Sequence, residues 1–347
     1  MQNADQQRSC TISCLRVFSM VLILMCHIVK YYTFIPGSSY INQFFNVGVQ
    51  VFLLISGYLQ GRKEVDNYGS WMYKKAKRIW LPVIIVVVVD VIVLAIMHTP
   101  TDTLTIIMYL LNLHGLLFLN WNFFGNVITE ITNLGPLWFT TMIMLCYIIV
   151  PVLQINKKRI KQSPKPVSRC VVLLCVLYAV ALILSAARVV NLSYILLFIV
   201  GYCFGLFNFN KDHTYIKHEL LLSMVMIILQ LIRVVLRVKY TEFQYYATFT
   251  IISHAALGIW ILYTGFFIER NMPALVHKIA DNRVLKYFDS SSYFIYLVHG
   301  LFCMGTAFNV FVIIDNVLVS SLLFICLTLV AAFALRSITK TMERILP

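Results

Sequence analysis

Long apolar runs, separated by short polar stretches, cover most of the chain. They fall near residues 14–32, 44–60, 79–98, 103–119, 136–154, 170–187, 192–207, 219–238, 247–268, 292–313 and 317–336. Each approaches the roughly 20 residues that a helix needs to cross a hydrocarbon core. The pattern predicts an all-α, polytopic membrane protein, read as one transmembrane domain over residues 1–347.

The cations between the runs say which of them cross. The stretch 61–78 carries Arg62, Lys63, Lys74, Lys75, Lys77 and Arg78, and 155–169 carries Lys157, Lys158, Arg159, Lys161, Lys165 and Arg169. Both are therefore expected on the cytoplasmic side. No Lys or Arg lies between Arg78 and Lys157. Two cytoplasmic loops are joined by an even number of crossings, yet three apolar runs lie between them. The run at 103–119 is the odd one: it holds Asn112, His114 and Gly115 and leads into "LNWNFFGNVITE". Residues 99–135 are accordingly expected to be an outer-face element, re-entrant or interfacial. Ten transmembrane helices then remain, with both termini cytoplasmic. Every Lys and Arg except Lys30, Arg188, Arg233, Arg237 and Lys239 falls at the inner face.

Composition agrees with this picture. Of 347 residues, 60% are hydrophobic and 12% charged, and mean hydropathy is +0.83. A net charge of +14 would suggest nucleic acid in a soluble protein, but these cations flank apolar runs, so no nucleic-acid partner is expected. The first run is too long for a cleaved signal peptide, and no small-residue cleavage site follows it. The nine cysteines show no disulfide or zinc spacing, and no metal site is expected.

Ionisable groups inside apolar helices need a reason, because each costs about 2.5–3.5 kcal/mol or more at the bilayer centre. In "LRVFSMVLILMCHI" (15–28), Arg16 and His27 are eleven residues apart. At about 100° per residue they return to within roughly 20° of one direction, about 16 Å apart along the axis. One face thus carries a cation at the cytoplasmic end and an imidazole farther across. A cation there suits an anionic ligand from the cytosol, and an imidazole suits proton transfer. Asp90 in the third run pairs with an imidazole or an arginine, or is protonated. His254 and His299 are each read first as hydrogen-bonded core residues. Arg233 and Arg237, one turn apart, read as interfacial or as binders of an anionic acceptor.

These residues belong to motifs with a family likeness. The Arg, ten residues, His spacing of 15–28, "FFNVGVQVFLLISGYLQGRK" (44–63), "KKAKRIWLP" (74–82), "GPLWFTTMIMLCYIIVP" (135–151) and "SSYFIYLVHGLF" (291–302) occur in one order. Together they resemble the acyltransferase-3 membrane proteins, which modify polysaccharides and other envelope molecules. Lys75 stands where the family often has Arg, which keeps charge but loses the guanidinium fork. Pro136 stands where many relatives carry His. The chain ends eleven residues past the last run and is expected to be the form without an appended esterase-like domain.

The resemblance implies a plasma-membrane O-acyltransferase that takes acetyl from cytoplasmic acetyl-CoA and delivers it to a hydroxyl of a cell-surface or lipid-linked glycan. His27 would be the catalytic residue, as general base or as covalent relay. Arg16, Lys75 and Arg78 would bind the donor's phosphates. Glu130, Trp138, His299 and Asp90 would line the acceptor side or the channel, with Trp121, Phe123 and Phe124 stacking on sugar faces. Membrane lipid is the surrounding partner, and homo-oligomerisation stays open. Intramembrane Arg, His and Asp equally suit a proton-coupled transporter or flippase for an envelope precursor, or a non-catalytic sensor. A transporter would show an inverted internal repeat with interrupted helices, and none is visible. No glycine-rich phosphate loop, His-Glu-x-x-His or Gly-x-Ser-x-Gly occurs.

Overall fold

The computed structural model describes residues 10–35, 37–119, 131–162, 164–186, 191–239, 246–305 and 308–345. Among these the regular structure is helical, with no strand. In chain order the helices are α1 (Cys10–Val29), α2 (Ser38–Phe45), α3 (Gly48–Arg62), α4 (Tyr68–Ile96), α5 (Thr103–Leu110), α6 (Trp138–Gln162) and α7 (Pro166–Ala186). There follow α8 (Ser193–Leu206), α9 (Ile216–Lys239), α10 (Tyr246–Asn271), α11 (Pro273–Asp281), α12 (Arg283–Cys303), α13 (Val310–Ile313) and α14 (Val317–Ile345). Among the described residues, eight helical stretches are long and apolar enough to cross a membrane: 10–29, 40–62, 68–96, 133–162, 166–185, 216–239, 249–271 and 317–345. The apolar α8 is shorter, and α12 carries Arg283, Lys286 and Asp289 in its first turns.

Local chemistry explains several boundaries. Asn67 Oδ1 accepts from Ser70 N at 2.9 Å and opens α4. Asp102 Oδ2 accepts from Thr105 N at 2.8 Å and opens α5. Pro273 occupies the first turn of α11. The apolar run expected over 292–313 is not one helix: α12 starts earlier, ends at Cys303, and α13 is separate. Gly305, two residues on, has φ of +70°, the left-handed conformation that stops helices. Hydropathy does not register such a stop.

The chain forms two units, each assembled from three separate stretches of sequence. One comprises Met1–Cys26, Gln43–Lys63 and Leu197–Ser292, and the other His27–Asn42, Glu64–Leu196 and Tyr293–Pro347. In the first, the core centres on α3, where Val51, Leu53, Leu54 and Ile55 are buried. α3 meets α8 through reciprocal glycines. A Cβ on Gly57 would lie 1.9 Å from Phe198 O, and one on Gly61 would lie 2.1 Å from Tyr202 O. A Cβ on Gly201 would lie 2.1 Å from Leu54 O, and one on Gly205 would lie 2.0 Å from Tyr58 O. Two Gly-x-x-x-Gly faces thus bring backbones together, as in packed membrane helices. α9 and α10 are tied by Gln230 Nε2 donating to Ser253 O at 2.9 Å and Trp260 Nε1 donating to Ser223 Oγ at 2.9 Å.

In the second unit, α4 packs on α6, with Trp71 edge-on to Tyr147 at 5.6 Å. α5 rises only about 12 Å, against a hydrocarbon core of about 30 Å, so it does not span on its own. It docks instead by side-chain hydrogen bonds. Trp80 Nε1 donates to Leu110 O at 2.5 Å, Thr141 Oγ1 to Asn112 O at 2.9 Å, and Gly115 N to Thr141 Oγ1 at 3.1 Å. His114 is buried and stacks on Tyr109 at 4.0 Å; burial pushes its imidazole down to about 3, so the ring is neutral. Lys157 Nζ lies 3.7 Å from Glu64 Oε1. That contact brings the two basic stretches to one end of the unit. The exposed apolar rows of α7, such as Val172 and Ile183, are surfaces for lipid.

Candidate functional site

His27 lies in the last turn of α1, within the second unit. Its ring centroid is 5.0 Å from that of His299 on α12, with the planes tilted by 51°. His27 is partly exposed, whereas His299 is wholly buried. His299 Nδ1 lies 2.5 Å from Tyr296 O. A ring nitrogen facing a carbonyl carries a proton, so in the neutral ring it is Nε2 that presents the lone pair. That Nε2 meets no hydrogen-bond partner among the described residues.

Tyr31 holds this pair together. It stands four residues after His27, and its hydroxyl donates to Cys303 O, four residues after His299, at 2.8 Å. Asn309 Nδ2 donates to the same hydroxyl at 2.9 Å, and the Tyr31 ring stacks on Phe311 at 4.2 Å. The Tyr31–Cys303 contact thus ties the turn that follows α1 to the end of α12, next to the His27–His299 pair.

Beside His299, α12 is met by the turn before α6. Tyr296 Oη donates to Pro136 O, and its ring is edge-on to Phe139 at 5.2 Å. A Cβ on Gly300 would lie 2.7 Å from Asn133 O, and one on Gly305 would lie 1.6 Å from Asn133 Oδ1. Asn133 Nδ2 in turn donates to Asp90 Oδ1 at 3.2 Å. Asp90 is 2% exposed, and its Oδ2 has no partner among the described residues. The sequence left imidazole, arginine or a proton as the partner of Asp90; here an amide serves Oδ1. Trp138 is half-buried, with its ring 4.8 Å from Tyr194.

The cationic candidates divide between the units. Lys75 and Arg78 lie on α4. Lys75 Nζ sits 4.9 Å from the Tyr147 ring centroid, and Arg78 is exposed. Close by, Tyr293 Oη donates to Ile79 O at 2.8 Å. Arg16 belongs to the first unit, where its Nε is 3.1 Å from Asp289 Oδ1. The Asp289 side chain is fully buried and that of Arg16 is 25% exposed, as expected of a paired charge inside a membrane protein. Glu130, Trp121, Phe123 and Phe124 lie outside the described residues.

Sequence reasoning passed over Tyr31, Asn133, Tyr296 and Asp289. Tyr296 stands inside a motif already singled out, whereas Tyr31 follows the end of α1, where helical periodicity no longer marks a face. Asn133 carried no periodic signal, because it works from an irregular turn.

A family model described as an acyltransferase domain, of the acyltransferase-3 type, matches residues 11–337. No curated protein and no solved structure matches the chain.

Proposed function

The chain belongs to the acyltransferase-3 family and is a multi-pass membrane protein, and from that premise we propose that it carries acetyl from cytoplasmic acetyl-CoA to a hydroxyl of a cell-surface or lipid-linked glycan, in the plasma membrane. The observation that carries this reading is the His27–His299 pair, with one ring partly exposed and the other locked in a single tautomer behind it. His27, the accessible ring, is the base. It takes the hydroxyl proton as the acceptor oxygen attacks the thioester carbonyl. The C–O bond forms, the C–S bond breaks, and the coenzyme A thiolate leaves. His299 offers an acceptor lone pair and no Nε2 proton, so a positive charge arising on His27 meets a neutral neighbour. Trp138, Asp90 and Glu130 remain on the proposed acceptor side.

Lys75 and Arg78 are assigned to the donor's phosphates. A hydrogen bond to a charged group contributes about 1.5–3 kcal/mol, which corresponds to roughly 10–100-fold in affinity. Arg78→Ala is therefore expected to raise KM for acetyl-CoA by about tenfold or more, with kcat little changed. Equal KM values in inverted membrane vesicles would remove Arg78 from the donor site.

The topology proposed with this function is ten crossings, the eight long stretches plus α8 and α12, with both termini cytoplasmic. A green fluorescent protein fused after Pro347 should fluoresce, and alkaline phosphatase fused after Ile131 should be active. An inactive phosphatase at Ile131 would place the 99–135 element on the inner side. The direct test of activity is the base-labile acetyl content of surface glycans with and without the gene.

A further inference from the structure

The first unit contains a second polar centre, unrelated to the histidine pair. Arg233 lies on α9 inside a stretch long enough to span, with 1% of its surface exposed. Its Nη1 is 2.5 Å from His254 Nε2 and 3.4 Å from Gln43 O. His254 Nε2 is itself 3.0 Å from Gln43 O, and the Phe44 ring centroid lies 5.3 Å from the guanidinium carbon. A carbonyl, an imidazole and a phenyl ring leave the charge without a counter-ion. Among the described residues no carboxylate forms an ion pair with Arg233.

The two other donor atoms, Nε and Nη2, have no acceptor among the described residues. These two N–H groups lie along one edge of the planar guanidinium and point in parallel. That edge matches two oxygens of one oxyanion. Arg237 follows one turn later, exposed, with its guanidinium carbon 5.7 Å from the Tyr246 ring centroid. Tyr246 Oη donates to Gln43 Oε1 at 2.9 Å, so the outer cation and the inner one share a scaffold. Like charges at i, i+4 repel, and a buried charge with bare donors is strongly disfavoured unless something completes it. A dianionic group would offset both penalties.

We infer that Arg233 binds a phosphate monoester on its Nε/Nη2 edge, with Arg237 as the outer cation that draws the anion in. The site lies wholly within the first unit and does not depend on the acyl-transfer reading. The same chemistry is carried by a sugar phosphate and by the headgroup of phosphatidic acid, and the experiment separates these sources.

Protein purified in dodecyl maltoside is titrated with glucose 1-phosphate against glucose, and with phosphatidic acid against diacylglycerol, following the thermal midpoint. At least one phosphate-bearing probe should raise Tm by several degrees, and its neutral counterpart should not. Arg233→Lys keeps the charge and loses the fork, so affinity for that probe should fall about tenfold or more. Arg237→Gln, at an exposed position, should fold normally and weaken the same binding less, with a shallower salt dependence. A response to glucose 1-phosphate alone assigns a sugar phosphate, and a response to phosphatidic acid alone assigns membrane lipid; both support the site. Equal responses to charged and neutral probes, or wild-type affinity in both variants, would overturn it. Acetyl-CoA, whose 3′-phosphate is itself a monoester, is titrated against Arg233→Lys as well: binding retained there and lost in Arg78→Ala belongs to the donor reading, which fails if the wild type does not bind it.

Discussion

His27→Ala is expected to leave the protein at normal abundance in the membrane and to reduce acetyl ester on its glycan by on the order of 10²–10⁴-fold, the usual contribution of a positioned general base. Normal abundance follows from how this end of α1 is seated. His27 is partly exposed at the end of α1, and the contacts that seat this end belong to Tyr31, through Cys303 O and Asn309. Removing the imidazole leaves all of them in place. Activity is lost because an acceptor hydroxyl is a poor nucleophile until its proton has somewhere to go. His299 cannot substitute, since it is wholly buried with Nδ1 engaged by Tyr296 O. Ester content is measured by alkaline release and mass spectrometry, normalised to protein detected in membranes. Undiminished ester at normal abundance would end the role assigned to His27. Accumulation of an acetylated His27 in the wild type would instead favour covalent relay over base catalysis.

The second large effect is on folding. Gly57→Val should eliminate most of the folded protein, whereas Gly69→Ala should be tolerated. At Gly57 the new Cβ would sit 1.9 Å from Phe198 O and 2.8 Å from Tyr202 N, both backbone atoms of α8. No side-chain rotation relieves a clash with backbone, so the helices must separate and the glycine contacts at Gly61, Gly201 and Gly205 open with them. Overpacking a core usually costs about 1–3 kcal/mol, and more where nothing can yield. Typical total stabilities are only about 5–15 kcal/mol. At Gly69 the nearest atom to a Cβ is Asn67 Oδ1 at 3.6 Å, an ordinary contact at an exposed helix start. Replacing that glycine removes a helix-disfavouring residue. Fluorescence-detected size exclusion of both variants gives the readout. A Gly57→Val profile like the wild type would show that α3 and α8 do not need their close approach.

Much of this molecule was readable from residue order. Apolar runs announced a helical membrane protein, because each run is long enough to satisfy its own backbone in lipid. The Arg16–His27 spacing marked α1, and the motif around His299 marked α12. The parity of cationic loops marked 103–119 as the run expected not to cross; in the structure α5 covers Thr103–Leu110 of it. What the runs did not reveal was where helices stop. The expected 292–313 helix ends at Cys303 because Gly305 takes a left-handed turn filled by Asn133 Oδ1, and hydropathy averages over such a turn.

The sequence by itself determined the class of protein, the helical phase that puts Arg16 and His27 on one face, and the motifs that mark its family. Those properties are local, set by the 3.6-residue period and by the polarity of each stretch. Only the tertiary structure decided the partners: Asp289 for Arg16, His299 for His27, Asn133 for Asp90, and Gly201 with Gly205 for Gly57 with Gly61. Each of these pairings joins residues far apart in the chain. A partner is chosen by which surfaces can approach without clash and which buried donors can find acceptors, and neither condition is written in the spacing of a single helix.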